Sequence, residues 1–394
     1  MRTDYDYIVL GCGGIGSAAL YWLARRAGAD VLGIEQFQLY HSNGGSQDYS
    51  RIIRHYYHKD CYARLTPQMY AAWATIAEES GVQPVTKTGG VVIANVGSPQ
   101  QATVERYAES LHPLNIPYEW LDNDELAYRF PQFRPERAVK VCYQKDTGIA
   151  DPSRGNAIHI SLARGYGATL IEECPVLGIV AGEETPGSIA IITEQGTFTC
   201  RRLVIAAGAW TNQALNGTGF QIPLRVTQEQ VTYFATAHLK EFAIGHFPIF
   251  QWKTDVSYYG FPVYGEVATK AAIDETGIEV TAMMRSFSPD QAREQQLISW
   301  LSTHIPHFVG PKLYTKTCLY TMPPDRDFVL DHVPGQPNIF VAIGAGHAYK
   351  FASLLGQILS ELAIDGHTAH DISAFSARRP AILSPATTVI ERYR

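Results

Sequence analysis

The sequence predicts an α/β protein in which a doubly wound, parallel-sheet domain is interleaved with a second domain rich in antiparallel sheet. Three observations carry this. Between residues 7 and 35 come, in order, an apolar run, a glycine-rich turn, an amphipathic stretch, a second apolar run and a terminal acid. Two further buried-strand patterns ending in small-residue turns lie far downstream, at 203–210 and 338–346. The long stretches between these segments carry Tyr, Phe and Val in strand-like runs.

The first unit justifies itself residue by residue. Tyr7-Ile8-Val9-Leu10 has strand length, and Gly11-Cys12-Gly13-Gly14-Ile15-Gly16 follows it directly. Ile15, Ala18, Ala19, Trp22 and Leu23 then recur at the period of a helix with one buried face. Val31-Leu32-Gly33-Ile34 is the next strand, closed by Glu35, 19 residues after Gly16. In such a Rossmann-type βαβ unit Gly11 permits the tight turn, Gly13 lets a pyrophosphate approach the backbone, and Gly16 lets helix and strand pack closely. Free N–H groups at the helix start, Gly14 and Ile15 among them, receive phosphates, while Glu35 is placed to accept from a ribose hydroxyl. The expected ligand is a dinucleotide; this motif alone leaves NAD and FAD both open.

Further along, Gln36 to Asp60 is polar and contains Arg51 and Arg54, Tyr62 to Ser80 is expected to be helical, and Gly89 to Ala94 a strand. A helix is expected at Gly155–Tyr166, a strand at Ala168–Ile171, and a long helix over Gly346–Ile364 with Phe351, Leu354, Leu355, Ile358, Leu359 and Leu362 at 3–4 spacing. The simplest arrangement assigns 1–85, 147–220 and 317–394 to the dinucleotide domain, and 86–146 with 221–316 to a sheet-rich substrate domain. Ligands in such architectures sit where the strand ends meet the second domain.

Composition excludes several classes. A net charge of −6 over 394 residues offers no basic footprint for nucleic acid or an anionic membrane. No apolar run approaches the length of a membrane span, the N-terminus enters the first strand without a secretory signal, and the terminal Arg392-Tyr393-Arg394 is not a Ser-Lys-Leu peroxisomal address. The six cysteines are scattered without Cys-x-x-Cys or zinc spacing, and His367-Thr368-Ala369-His370 lacks a third ligand. A cytoplasmic, monomeric enzyme with reduced thiols and no metal is the expectation.

Three distant segments then decide the cofactor. The Gly11–Gly16 fingerprint, Ser50-Arg51-Ile52-Ile53-Arg54-His55, and Cys318-Leu319-Tyr320-Thr321 followed by Gly344-Ala345-Gly346-His347-Ala348-Tyr349-Lys350-Phe351 occur in the order that resembles the monomeric sarcosine oxidase family of FAD amine oxidases, which includes N-methyltryptophan and pipecolate oxidases. The likeness runs nearly end to end, through Tyr258-Tyr259-Gly260-Phe261-Pro262 and His370-Asp371-Ile372-Ser373. It implies FAD held covalently, by a thioether from Cys318 to the C8 methyl of the ring, a step that needs thiolate character and so cations nearby. It implies that Lys270 activates oxygen, that Arg54 and Lys350 bind the substrate carboxylate, that Arg51 lies beside the flavin ring, and that Tyr320 and His347 belong to the active site. Ser50, Val176, Gly208, Trp210, Gly344 and Gly346 are carried over as cofactor-side positions. The start of the 346–364 helix would direct positive dipole at the flavin.

Two departures bear on the substrate. Sarcosine-type members have a histidine four residues after the lysine, where this chain has Asp274, and the C-terminal motif has Gly-His-Ala-Tyr-Lys in place of Gly-His-Gly-Phe-Lys. His55-Tyr56-Tyr57-His58 is expected to be packing in the flavin domain. The resulting expectation is an oxidase of N-methyl or cyclic secondary α-amino acids that turns O2 into H2O2. The competing readings are an amine dehydrogenase with another acceptor and a non-catalytic flavoprotein sensor.

Overall fold

In the computed structural model the described residues are 2–181, 188–274 and 277–384; Arg392-Tyr393-Arg394 lie outside them. Strand Asp4–Leu10 lies between Val31–Ile34 and Gly196–Ile205, parallel to both, with Tyr7 beside Val31 and Leu10 beside Ile205. Thr169–Ile171 extends this parallel sheet on one side and Gln336–Ile343 on the other. Antiparallel strands Val176–Ala181, Ile189–Thr193 and Val329–Val333 complete eight strands. Two glycines set the crossover from first strand to helix. Gly11 has φ 85°, and a Cβ there would stand 2.7 Å from the Ala206 carbonyl oxygen; at Gly16 it would stand 1.7 Å from that of Gly11. Only glycine fits either position.

Helix Gly14–Ala27 covers one face of this sheet, packed between helices Ala352–Asp365 and Pro152–Gly165. The expected apolar stripe is the buried one: Ala18, Ala19 and Leu23 have no exposure, nor do Leu354, Ile358 and Leu359 on the helix opposite. Each large apolar side chain so buried contributes about 1.5–3 kcal/mol.

The second domain is a nine-stranded sheet, antiparallel except where Ile249–Lys253 runs parallel to Gly90–Asn95. Its reverse face packs Phe133, Phe234, Phe247, Phe250 and Trp252 against helix Gln291–His304. Strand Arg225–Phe234 pairs with Lys312–Met322 along nearly its whole length, Glu229 opposite Cys318. The expected junction at residue 317 therefore falls inside a strand, and Cys318 belongs to the nine-stranded sheet. Strands Arg51–Ile53, Gly148–Ala150 and Val85–Lys87 form a third, small antiparallel sheet.

A second expectation is corrected at the C-terminal motif. Helix does not begin at Gly346: Ala345 and Gly346 have φ of 46° and 79°, outside the helical region, and a 3-10 turn over Tyr349–Phe351 precedes the α-helix from Ala352. The motif is a turn that carries side chains, followed by a helix. Among the described residues no helix is long and apolar enough to cross a membrane.

Candidate active site

A cavity of about 300 Å³ runs from the Gly11–Gly16 turn to the face of the nine-stranded sheet. Of the positions singled out on the cofactor side, Gly11, Gly13, Gly14, Ile15, Glu35, Ser50, Arg51, Val176, Gly208, Trp210, Gly344, Gly346, His347 and Lys350 line it; Gly16 and Cys318 do not. At its first end the groups offered are backbone atoms of the Gly11–Gly16 turn and the carboxylate of Glu35. Gly13 is the N-cap of helix 14–27 and has no side chain to cap it; the Gly14 N–H, expected to be free, donates to Ser46 Oγ at 3.0 Å. A Cβ at Gly13 would meet nothing nearer than Ser46 Oγ at 3.6 Å, so the turn faces open space. Glu35 is buried, its carboxylate fixed by N–H donors from Cys12 at 2.8 Å and Phe37 at 3.1 Å, with acceptor capacity left for a hydroxyl. An anionic pyrophosphate and a ribose fit this end.

The other end is built from side chains. Strand alternation places Lys270 and Asp274 on one face of Thr269–Asp274, with Tyr259 and Phe261 beside them from the neighbouring strand, and all four line the cavity. Arg54 sits among three tyrosines, its guanidinium carbon 5.0, 4.9 and 5.3 Å from the ring centres of Tyr56, Tyr57 and Tyr107. It donates to Gln251 Oε1, and its buried Nε has no partner among the described residues. Lys350 is buried, donates to the His347 carbonyl at 2.7 Å and lies 5.7 Å from the Tyr57 ring centre. Burial, then the Arg54 charge, pushes its pKa well below the usual lysine value, with Asp274 opposing. Neither Arg54 nor Lys350 has a carboxylate within 4.0 Å among the described residues. Two basic groups that share a cavity and make no ion pair among the described residues offer a site for an anion, with Asp274 the acid whose charge both feel. Tyr56 and Tyr57 are therefore more than the packing expected of them.

Lys270 is handled differently. Its Nζ donates to Asp48 Oδ2 at 2.7 Å, the Ser50 carbonyl at 2.9 Å and Ser50 Oγ at 3.0 Å, over the Phe261 ring at 4.6 Å. All three of its donors are used. Burial lowers its pKa to about 8, Arg51 adds to the fall, and Asp48 opposes it. Arg51 donates to the same Asp48 oxygen at 2.9 Å and to the Gly45 carbonyl at 3.0 Å. Burial would raise the Asp48 carboxyl, but Lys270 and Arg51 hold it well below its usual range.

Tyr320 and His347 line the cavity as neutral groups. Burial raises the Tyr320 phenol and lowers His347, whose ring stacks on Phe328 at 4.7 Å. Cys318 is half-buried on strand Lys312–Met322, one residue from the cavity-lining Leu319. The cations expected beside it are present, Arg51 and Arg285, and both favour the thiolate. Burial, with Glu229 and Asp48, outweighs them and raises the thiol. Sequence reasoning missed Asp48, Gln251 and Tyr107, and named Tyr259 only as part of the Tyr258–Pro262 run. Asp48 lies in a polar stretch with no periodicity, and only its nearness to Ser50 and Arg51 pointed toward the site.

A model of the FAD dependent oxidoreductase family matches residues 6–362, and the chain belongs to that family. Within it the chain is sarcosine-oxidase-like, a type named for oxidation of CH–NH donors: it is 33% identical over 389 residues to the monomeric sarcosine oxidase of Streptomyces avermitilis, covering 97% of this chain and 99% of that one. It is also 29% identical over 384 residues to the N-methyl-L-tryptophan oxidase of Yersinia pestis, covering 95% and 99%. Among solved structures it is similar to NikD, described as an unusual amino acid oxidase essential for nikkomycin biosynthesis, with a TM-score of 0.84, 25% identity and coverage of 95% and 98%. The cofactor is FAD, and the chemistry is that of a flavoenzyme.

Proposed function

We propose that this protein is a cytoplasmic, monomeric oxidase of N-methyl or cyclic secondary α-amino acids, converting a C–N bond to an imine and O2 to H2O2. The observation that carries the reading is the pair of basic groups at the cavity wall, half-buried Arg54 and buried Lys350, neither of which makes an ion pair among the described residues. A substrate carboxylate would take the Arg54 fork and the Lys350 ammonium, and this fixes where its amine-bearing carbon lies. Bound FAD supplies the two-electron acceptor for breaking the C–H bond and the donor for oxygen. Arg54 and Lys350 orient the amino acid so that the nitrogen lone pair forms the C=N bond as that C–H bond breaks. The amine binds deprotonated or gives up a proton in the site, because an ammonium has no lone pair for this step. Two electrons and two protons convert O2 to H2O2, and water hydrolyses the released imine.

Lys270 serves as a fixed positive charge where negative charge develops on oxygen. Arg51 would lie beside the flavin ring of the bound cofactor, and Asp48 pairs with both Arg51 and Lys270. Asp274 faces the same cavity as Arg54 and Lys350, so an acid stands where sarcosine-type members have a histidine. This favours a cationic or larger amine over sarcosine. Tyr320 and His347 act as neutral hydrogen-bonding groups, and Gly13, Gly14 and Glu35 hold the dinucleotide.

A covalent link is proposed at Cys318, supported by the Arg51 and Arg285 charges beside it and opposed by the burial that raises its thiol. Acid-precipitated protein should keep its yellow colour, and Cys318→Ala should release it into the supernatant; colourless wild-type precipitate would remove the link. The decisive test of function is a panel of N-substituted and cyclic amino acids scored for anaerobic flavin bleaching and for peroxide in air. Bleaching with peroxide supports the oxidase. Bleaching without peroxide would make it a dehydrogenase, and no bleaching a ligand-binding flavoprotein.

A further inference from the structure

Outside the cavity, three side chains that can ligate a metal meet on the edge of the second domain. His238 Nδ1 lies 2.7 Å from Glu241 Oε1, and His307 Nδ1 lies 3.4 Å from Glu241 Oε2. The two imidazoles stack with centroids 4.0 Å apart and planes within 13°. One ligand atom from each residue falls within 4.8 Å of the others. Tetrahedral zinc, with bonds of about 2.0–2.2 Å to nitrogen and oxygen, separates its ligand atoms by roughly 3.3–3.6 Å. Because an imidazole lone pair lies in the ring plane, one of the two stacked rings must turn out of the stack for both nitrogens to meet one ion.

The backbone on both sides is already tied. Strand Arg225–Phe234 ends beside these residues, and Ala235 donates to the Pro311 carbonyl at 2.8 Å. Thr236 Oγ1 donates to the His307 carbonyl at 2.5 Å and accepts from the His238 N–H at 3.1 Å. His307 itself holds φ 70°, an uncommon conformation for a residue with a Cβ. One threonine thus sets both histidines. The three groups are partly exposed, side chains 40, 47 and 56%, which gives an ion a route in and leaves room for water as a fourth ligand.

We propose that His238, Glu241 and His307 bind a late first-row divalent cation of the zinc class, one ion per chain. Two imidazoles and a carboxylate suit zinc, nickel or copper and do not suit magnesium or calcium. The ion would replace the imidazole protons now shared with Glu241 and cross-link the 237–248 segment to the turn at 305–308. Beneath them Phe242, Phe247 and Phe308 pack against one another, so the cross-link would clamp an aromatic cluster. His307 and Glu241 are 66 residues apart in sequence, which is why no metal spacing shows along the chain.

The test uses the flavin-loaded, tag-free protein after chelator treatment. Calorimetric titration with Zn2+ should give one equivalent per chain, and Co2+ should show the visible absorption of a low-coordinate nitrogen–oxygen site. Zn2+ should raise Tm. His238→Ala, His307→Ala and the isosteric Glu241→Gln should each weaken binding at least tenfold and abolish the Tm rise, leaving the flavin spectrum as it was. No saturable binding below millimolar Zn2+ would overturn the proposal. So would binding that persists in the double variant His238→Ala/His307→Ala, since the ion would then be held elsewhere.

Discussion

At one end of the cavity the ligand-facing groups are mostly backbone atoms of a single turn, Gly11 to Gly16, with Glu35; at the other they are side chains from five separate segments, led by Arg54, Gln251, Lys270, Tyr320 and Lys350. The first end is local in sequence and tolerant of side-chain change wherever a side chain fits. The second is assembled by two sheets, and its charges act only because burial removes the water that would screen them. On the proposed function, binding of the common cofactor and choice of the particular substrate would rest on different kinds of structure, and substitutions should separate them.

The largest effect should come from Gly16→Val. With a Cβ 1.7 Å from the Gly11 oxygen, helix 14–27 cannot pack, and the purified protein should contain little or no flavin and melt early. Normal flavin content, read from the ratio of visible to ultraviolet absorbance, would show that the turn is not what holds the cofactor.

Lys270→Met should leave flavin content intact and slow reoxidation by O2 by about 10²–10³-fold, the cost of one preorganised electrostatic group. Reduction by substrate should change far less, and equal slowing of both half-reactions would remove the assigned role. A lysine lowered to about 8 is cationic below that pH and neutral above it. Wild-type reoxidation should therefore fall as pH rises through about 8, and the Met variant should lose that dependence.

Arg54→Met should weaken carboxylate substrates about ten- to a hundredfold, the roughly 1.5–3 kcal/mol of a hydrogen bond to a charged group. An analogue with an amide in place of the carboxylate should be affected much less. Equal damage to both would mean that Arg54 organises the tyrosines or the flavin instead. The smallest effect is expected from Asp274→His, which should shift preference toward sarcosine, severalfold in relative kcat/KM, without changing flavin content. An unchanged ranking of substrates would leave Asp274 without a part in selection.

The same contrast explains what was legible beforehand. Strand, turn, helix and acid between Tyr7 and Glu35 are local, so spacing alone exposed them, and the 3.6-residue stripe on the 352–365 helix was equally plain. The start of that helix was misplaced because Gly346 and Ala345 take positive φ, a choice made by tertiary packing. The 317 junction was misplaced because Cys318 is strand-paired to Glu229, a partner 89 positions away. Arg54 and Lys350 came from resemblance, whereas the tyrosine cage and Gln251 that define the surroundings of Arg54 have no sequence signature. Asp48 was invisible for the same reason: an acid in a polar loop becomes informative only once Lys270 arrives from 222 residues away.

That pairing has a consequence for exchange of parts. Asp48 comes from the 36–60 segment that follows the glycine-rich unit, Lys270 from the nine-stranded sheet, and both side chains are only 3% exposed. A chimera that borrows the substrate sheet from a relative would bring a lysine shaped to that relative's own loop. Unless an acid at position 48 met it, a buried charge would stand alone, at a cost of about 3–5 kcal/mol. The two domains are thus inherited as a matched set, and a new specificity can be grafted at Asp274 more readily than by moving the sheet that carries it.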